Sequence, residues 1–287
     1  MRGWVMLLAV LLVAGCQGVA LPPLPEGQQV GGIVELRSGR SLSAAELVER
    51  LAQAPRVIVG EQHDNPDHHV LQLWLLRALA SQRPQGSLLL EMLVAQQQLR
   101  IDTVRRQLRS QGWPEDLPAA LAWQPGWDWA LYGPIVRFAL AQPYPLLAAN
   151  LDTREVRRIY AQPPVLSGAH ANSQAVKDLL QAQIRDAHCG LLPESQVPAM
   201  LAVQQQRDRR MAERLVAAPA PALFFAGAYH ARKDVGVPVH LADIGAAQGT
   251  AVLIFAQQGS PVAAESADYV WYTPRMPDQD YCAPLRK

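Results

Sequence analysis

The stretch Arg56-Val57-Ile58-Val59-Gly60-Glu61-Gln62-His63-Asp64 joins an apolar run to a group of polar residues. Three aliphatic residues in a row, without the alternation of a half-exposed strand, are typical of a strand that is buried on both faces of a sheet. The polar residues follow directly, and Asn65 before Pro66 marks the start of a helix. This order of strand, polar loop and helix predicts the first unit of a parallel α/β sheet.

The same order recurs along the chain. Apolar runs predict four further core strands, at 87–90, 145–149, 223–226 and 251–255. The segment at about 155–215 has no convincing strand and is rich in Gln, Arg and Ala, so we interpret it as helices inserted between two core strands, forming a lid. Strands that alternate with helices predict an α/β fold, with a mostly parallel sheet flanked by helices and this inserted helical segment. A single domain over 31–287 has the length for such a fold.

Polar residues stand where these predicted strands end. Glu61 and His63 follow the first strand, and Glu91 follows the second. Asn150 follows the third strand, and His230 comes shortly after the fourth. Ligands bind at the carboxyl ends of the strands in open parallel sheets, so these residues are predicted to form a catalytic or binding site. Each of them alone also has a structural interpretation, as a helix cap or as a hydrogen-bonded core histidine.

Other polar residues are harder to place. His68 and His69 lie in the first turn of a predicted helix, where we expect them to be exposed and outside the site. Gln205 and Asp208 fall on the apolar stripe of a predicted helix at about 198–215, which indicates a polar pocket beneath that helix. A solvated face of the same helix is the alternative.

The N-terminus has the three parts of a secretion signal. A basic start at Met1-Arg2 precedes an apolar run at 5–13, which is too short to span a membrane. Val13-Ala14-Gly15-Cys16 then predicts a lipoprotein signal peptide over 1–15 and a lipid on Cys16, the alternative being an ordinary cleaved signal. Residues 16–30 read as a proline-rich tether. Gln17 after the cysteine favours the outer membrane, facing the periplasm or the cell surface.

Composition narrows the function further. A formal net charge of +1 argues against a nucleic-acid partner, because such proteins carry a basic excess. Cys189 and Cys282 are the other two cysteines, and in an oxidising periplasm we predict that they form a disulfide, with two separate buried thiols as the alternative. The chain has no GxGxxG, GxxxxGK[ST], HExxH or GxSxG motif, which argues against dinucleotide, phosphate-loop and serine-hydrolase sites.

Together these motifs resemble a known family. The segments that carry the resemblance are Gly60-Glu61-Gln62-His63-Asp64, Leu90-Glu91-Met92, Ala149-Asn150, Gly227-x-x-His230 and Ala187-His188-Cys189-Gly190. Their order is similar to that of the ChaN family of iron-regulated, haem-binding lipoproteins, within the wider Tiki and erythromycin-esterase-like group. The resemblance implies a homodimer that holds two haems face to face, with each iron ligated by a tyrosine and a histidine close by. Tyr132 is the first candidate for this ligand, and Tyr229 beside His230 is the second.

The resemblance also implies an alternative function. Tiki-type proteins are metal-dependent hydrolases, in which case Glu61, His63, Glu91 and His230 would bind a divalent metal ion or act as acid–base groups. Erythromycin-esterase-like chemistry would instead use a histidine as the base without a metal. A structural lipoprotein is a third interpretation, but a scaffold has no reason to collect polar residues at its strand ends.

Overall fold

The computed structural model describes residues 21–25 and 31–286. The predicted signal peptide, Cys16 and the remainder of the predicted tether lie outside these residues. Within the described ranges, no helix is long and apolar enough to cross a membrane.

The described residues contain one eight-stranded sheet. Its strands are β1 (Ile33–Glu35), β2 (Arg40–Leu42), β3 (Arg56–Glu61), β4 (Ser87–Val94), β5 (Leu146–Asn150), β6 (Ala222–Gly227), β7 (Thr250–Gln257) and β8 (Tyr269–Thr273). Their order in the sheet is β2-β1-β8-β7-β3-β6-β4-β5. The strands from β8 to β5 pair in parallel, whereas β1 pairs antiparallel with both β2 and β8. The predicted mostly parallel α/β fold is therefore confirmed.

Helices cover both faces of this sheet. They are α1 (Ala44–Ala52), α2 (Pro66–Gln82), α3 (Gln98–Leu108), α4 (Leu117–Ala120), α5 (Trp129–Leu140), α6 (Thr153–Ala161), α7 (Gln174–Ala187), α8 (Val197–Ala217), α9 (Ala228–Ala231) and α10 (Val237–Asp243). Val57 and Val59 of β3 face the core that α1, α2, α3 and α5 complete. Ile58 faces the opposite core, which α8 and α10 complete. Burial on both faces is why β3 has no polar alternation.

The inserted segment is helical, as predicted. Helices α6, α7 and α8 occupy the chain between β5 and β6. Met211 and Leu215 of α8 pack into the core against the sheet. Helix α7 does not reach that core, because its buried residues Val176, Leu180 and Ile184 belong to a small separate cluster. The inserted segment thus has one helix fixed on the sheet and one packed outside it.

Both ends of the described chain are attached to the domain. Cys189, just after α7, forms a disulfide with Cys282 near the C-terminus, which confirms the predicted pairing. At the other end, the indole nitrogen of Trp74 donates a hydrogen bond of 3.0 Å to the carbonyl of Pro22. Leu21 packs against the core that contains Trp74. Leu21 and Pro22 of the predicted tether therefore lie against the domain, and Pro22 contacts α2.

Candidate functional site

The strand ends bring the predicted site residues together. Glu61 is the last residue of β3, paired in register with Gly227 at the end of β6. His230 lies three residues further along, in α9. Glu91 lies within β4 rather than after it, next to a register shift that follows Leu90. Glu61, Glu91 and His230 are all buried at this edge of the sheet.

The first group at this edge is built on Glu61. The Oε1 atom of Glu61 lies 2.7 Å from Nδ1 of His63 and 2.9 Å from the hydroxyl of Tyr132, and both donate to it. Burial by itself lowers the pKa of His63, but the Glu61 carboxylate outweighs it and the pKa is raised. The Oε2 atom of Glu61 is buried and has no hydrogen-bond partner among the described residues.

The other ring nitrogen of His63, Nε2, faces Gly227. This atom lies so close to Gly227 that a Cβ added there would come within 2.8 Å of it. The His63 side chain is 42% exposed, and its ring packs edge-on against Trp127 at 4.8 Å between centroids. With Nδ1 held by a carboxylate and no hydrogen bond to Nε2 from the described residues, His63 has the geometry of a general base.

The second group is an imidazole between two carboxylates. Nδ1 of His230 lies 2.6 Å from Oδ1 of Asp208, and its Nε2 lies 3.3 Å from Oε1 of Glu91. Glu91 also accepts a hydrogen bond of 2.8 Å from the backbone N–H of Gly227. Burial alone lowers the pKa of His230, but Glu91 and Asp208 together raise it to about 10. His230 is therefore an imidazolium at neutral pH.

The pKa values of the two carboxylates, Glu91 and Asp208, change in opposite directions. His230 lowers the pKa of Glu91 despite the opposing effect of burial. Burial raises the pKa of Asp208 even though His230 acts in the opposite direction. The prediction that Asp208 lies buried beneath its helix is confirmed, because α8 places it against His230 rather than in solvent.

Tyr132 and Tyr229, the two tyrosines singled out in the sequence, lie in different surroundings. Tyr132 is only 1% exposed and its hydroxyl donates to Glu61. Burial and the Glu61 carboxylate both raise the pKa of Tyr132, so its phenolate form is disfavoured. Tyr229 is 49% exposed, with the guanidinium of Arg232 at 5.8 Å from its ring centroid. Tyr132 as the iron ligand stays a prediction, which its burial and its disfavoured phenolate form do not favour.

His68 and His69 are not exposed, contrary to the sequence-based expectation. His68 is fully buried, with Nδ1 accepting from the backbone N–H of Gln62 at 3.0 Å and Nε2 at 3.1 Å from the hydroxyl of Thr273. Burial lowers the pKa of His68 to about 3. His69 lies within 2.9 Å of the carbonyl of His63. Both histidines pack and orient the loop after β3, which explains their burial at the start of α2.

A large cavity opens over these groups. We call it the strand-end cavity; its volume is about 790 Å³. Glu61, His63 and His230 contribute polar groups to it, and Phe255 and Val262 contribute apolar wall. Tyr229 also lines it. Such a volume and such mixed walls are ordinary for a small-molecule site.

A second cavity lies among the inserted helices and was not predicted. We call it the helical cavity; its volume is about 430 Å³. Its lining includes Val156, Arg157, Tyr160, Ile184, His188, Met200, Val203 and Arg207. It shares Gln183, Gln204 and His230 with the strand-end cavity. Nothing in the local sequence marks Tyr160, because this cavity exists only through the way α6, α7 and α8 pack.

The divalent-metal alternative finds no support in this arrangement. Within residues 21–25 and 31–286, no group of three or more His, Cys, Asp or Glu side chains is placed to hold a metal ion. The ligand positions of His230 are instead occupied by Asp208 and Glu91.

Solved structures place this fold among known proteins. ChaN of Campylobacter jejuni, in a structure described as cofacial haem binding, is similar with a TM-score of 0.79 and 27% identity, over 88% of this chain and 100% of that one. An erythromycin esterase mutant in its open conformation is similar with a TM-score of 0.50 and 14% identity, over 90% of this chain and 85% of that one, which shows a shared fold. No curated protein sequence matches the chain.

The family follows from a further match over most of the domain. The family model described as "Haem-binding uptake, Tiki superfamily, ChaN" matches residues 47–241. The match begins in α1 and ends in α10, so it includes the strand-end groups and all three inserted helices. This chain belongs to the ChaN family of haem-binding uptake proteins in the Tiki superfamily.

Proposed function

We propose that this protein binds haem for haem acquisition, and that it holds the haem in the helical cavity with Tyr160 as the iron ligand. Membership of the haem-binding uptake family supports the haem itself. The single observation that carries the location is Tyr160, which is 36% exposed and lines a cavity with apolar walls and two arginines. Tyrosinate suits oxidised haem iron because a hard anionic oxygen favours the ferric state.

The walls of the helical cavity fit a porphyrin. Val156, Ile184, Met200 and Val203 offer aliphatic and thioether surface of the kind that buries a flat apolar ring. Tyr160 stands on the same lining, with a side chain that is 36% exposed. Tyr132 is only 1% exposed, so we propose Tyr160 as the ligand in its place.

Charge favours the helical cavity over the strand-end cavity. Haem carries two propionates, and anions are stabilised by nearby cations. Arg157 and Arg207 line the helical cavity. The strand-end cavity has the Glu61 carboxylate in its lining, and its nearest arginine, Arg232, is already ion-paired with Asp234. Propionates are therefore better matched to the helical cavity.

A second copy of the chain would complete the site. The helical cavity is open at Arg157 and Ala187, which are exposed. A haem there would keep one face uncovered in the monomer. The cofacial haems described for the C. jejuni protein suggest that the uncovered faces stack across a homodimer. His188, whose Nδ1 donates to the carbonyl of Ile184 at 2.7 Å, keeps Nε2 free as the neighbouring histidine.

A haemin titration with three variants tests this proposal. Wild-type protein should give a saturable Soret band at about one haem per chain, with dimerisation in sedimentation. Tyr160→Phe should shift the band and weaken affinity about tenfold or more, since the charged ligand is lost. Tyr229→Phe and Tyr132→Phe are matched controls with little expected change. A Soret band that survives in Tyr160→Phe but is lost in either control would overturn the assignment.

The lipid anchor and the outer membrane are part of the same proposal. They rest on the sequence around Cys16, which lies outside the described residues. Three acyl chains at one cysteine would hold the protein firmly, since stable anchoring needs more than one chain. Mass spectrometry of the mature N-terminus should find the lipid on Cys16. Cys16→Ser should release the protein from the membrane fraction, and an unmodified mature N-terminus would contradict the anchor.

One observation supports a second function, ester hydrolysis without a metal. The Glu61–His63 pair leaves Nε2 of His63 free beside the strand-end cavity. In this alternative, Nε2 takes a proton from water, the water oxygen adds to an ester carbonyl, and the alcohol leaves with a proton returned from His63. The apolar walls at Phe255 and Val262 would accept an acyl chain.

Chromogenic short-chain esters test this alternative. Turnover should fall at least a hundredfold in His63→Ala and stay unchanged in a chelator. His69→Ala is a poor control because His69 is buried, so Tyr160→Phe serves as the control that leaves the strand-end groups intact. Turnover that is equal in wild type and His63→Ala would exclude the alternative.

A further inference from the structure

The C-terminal segment that follows β8 crosses the edge where the site lies. We call residues 274–286 the C-terminal strap. The backbone N–H of Met276 donates to Oε1 of Gln257 at 2.8 Å. Further along, the hydroxyl of Tyr281 donates to Oδ2 of Asp64 at 2.6 Å and accepts from Nε2 of Gln62 at 3.1 Å. Gln62 and Gln257 both line the strand-end cavity.

These hydrogen bonds are a weak attachment. Tyr281 is 54% exposed, so water competes for its partners, and hydrogen bonds at an exposed site add little net stability. No strap residue whose side chain the structure describes is buried. Burial of apolar side chains therefore contributes little to holding the described part of the strap in place. Its covalent attachment is the disulfide of Cys282 with Cys189.

The other end of this disulfide follows a helix that lines both cavities. Cys189 lies two residues after the last residue of α7. Gln183 of α7 lines the strand-end and the helical cavity, and Ile184 lines the helical cavity. The buried face of α7 is confined to the small separate cluster of Val176, Leu180 and Ile184 with residues of α8 and α10. Elements with so few buried contacts open locally at low cost.

From this arrangement we infer that the Cys189–Cys282 disulfide is a redox latch, which keeps α7, a helix that lines both cavities, joined to the C-terminal strap and so to Gln62 and Gln257 of the strand-end cavity. The latch joins α7 to Gln62 and Gln257, which belong to a different wall of the strand-end cavity. When it opens, α7 and the strap move independently and ligands gain access. This regulation does not depend on which ligand the cavities hold.

The opening step is an ordinary thiol–disulfide exchange with a dithiol reductant of the thioredoxin class. A thiolate of the reductant attacks one protein sulfur, which breaks the protein S–S bond and forms a mixed disulfide. The second thiol of the reductant then displaces the protein, which gains two thiols, while the reductant becomes a disulfide. Two electrons pass to the protein, and two protons complete its thiols.

Hydrogen exchange of the full chain tests the latch without any ligand. Reduction with dithiothreitol should speed amide exchange at least tenfold in 174–187 and 274–286. Exchange in 87–94 and 222–227, in the sheet core, should not change. The double variant Cys189→Ser, Cys282→Ser should behave like the reduced protein. Tyr281→Phe, which removes the strap hydroxyl but keeps the disulfide, is the matched control and should change exchange in 274–286 only slightly.

Two results of the hydrogen-exchange experiment would overturn the latch. Unchanged exchange in 174–187 after reduction would overturn the latch, and so would a uniform increase over the whole chain, which would mark a disulfide that stabilises the global fold. A second measurement rests on the proposed haem function. Haem should leave the double Cys→Ser variant for an excess of a scavenger protein about tenfold faster than it leaves wild type. Failure to bind haem at all would contradict the proposed function and leave the exchange result standing.

Discussion

The strand-end cavity and the helical cavity share Gln204 and His230 but hold their polar groups differently. In the strand-end cavity the carboxylates and imidazoles are paired with each other before any ligand arrives, and all of them except the partly exposed His63 are buried. In the helical cavity Tyr160 and Arg157 are exposed and stand on aliphatic walls. Groups that are paired in advance suit proton transfer at a fixed place, whereas exposed groups on apolar walls suit the capture of a large ligand. The two neighbouring cavities thus present different chemistry to a ligand.

The largest expected effect is a loss of stability when His230, which lines both cavities, is replaced. His230→Ala leaves Asp208 and Glu91 buried without their cation, which should lower the free energy of unfolding by about 3–5 kcal/mol. Arg157→Ala, on the exposed side of the helical cavity, should cost less than about 0.5 kcal/mol. Urea denaturation of both variants measures the difference. A cost for His230→Ala as small as that for Arg157→Ala would mean that the two carboxylates do not depend on the imidazolium.

The pH dependence of stability is the next effect. The pKa of His230 in the folded protein is raised to about 10, above its ordinary value of 6.5. Its contribution is therefore fully present below pH 6.5 and is lost as pH rises towards 10. We expect the free energy of unfolding to fall by up to about 5 kcal/mol over that range, since the two pKa values of His230 differ by 3.5 (10 minus 6.5) and a difference of one corresponds to about 1.4 kcal/mol. His230→Gln should flatten the profile, and an equally steep decline in that variant would assign it to other groups.

A smaller effect distinguishes the cavities by charge. Arg207→Gln removes a cation from the helical cavity and should weaken haemin affinity about tenfold, or about 1.4 kcal/mol. Arg232→Gln removes a cation from the strand-end cavity and should leave haemin affinity unchanged, because Arg232 is committed to Asp234. Haemin titration of both variants makes the comparison. The reverse order of effects would place the haem in the strand-end cavity.

The smallest effect concerns only the strand-end cavity. Gly227→Ala places a methyl group about 2.8 Å from the imidazole of His63, which must then shift. The His63 side chain is 42% exposed and can move, so the variant should cost less than about 1 kcal/mol. Haemin affinity should stay at the wild-type value, while any ester turnover should fall. Loss of haemin binding in this variant would show that the two cavities act as one site.

Residues at strand ends could be predicted from the sequence because the topology alone brings them together. The apolar strands predicted a parallel sheet, and with it that Glu61, Glu91 and His230 lie together at one edge. The position of Asp208 on the apolar stripe of α8 predicted that its side chain faces the interior. The burial of His68 could not be predicted, because it depends on Thr273 from a strand more than 200 residues away. Tyr160 escaped notice for a similar reason, since its surroundings are set by helix packing and leave no periodic signal.

The hydrogen bond between Trp74 and Pro22 has a consequence for the proposed lipid anchor. Pro22 lies six residue steps after Cys16 (22 minus 16), and an extended chain spans at most about 3.5 Å per residue. A lipid on Cys16 would keep Trp74 within about 20 Å of the bilayer. Trp74 belongs to the core on one face of the sheet, whereas α8, which lines the helical cavity, packs on the other. The anchored protein would then turn its helical cavity away from the lipid, towards whatever delivers or collects haem from the aqueous side.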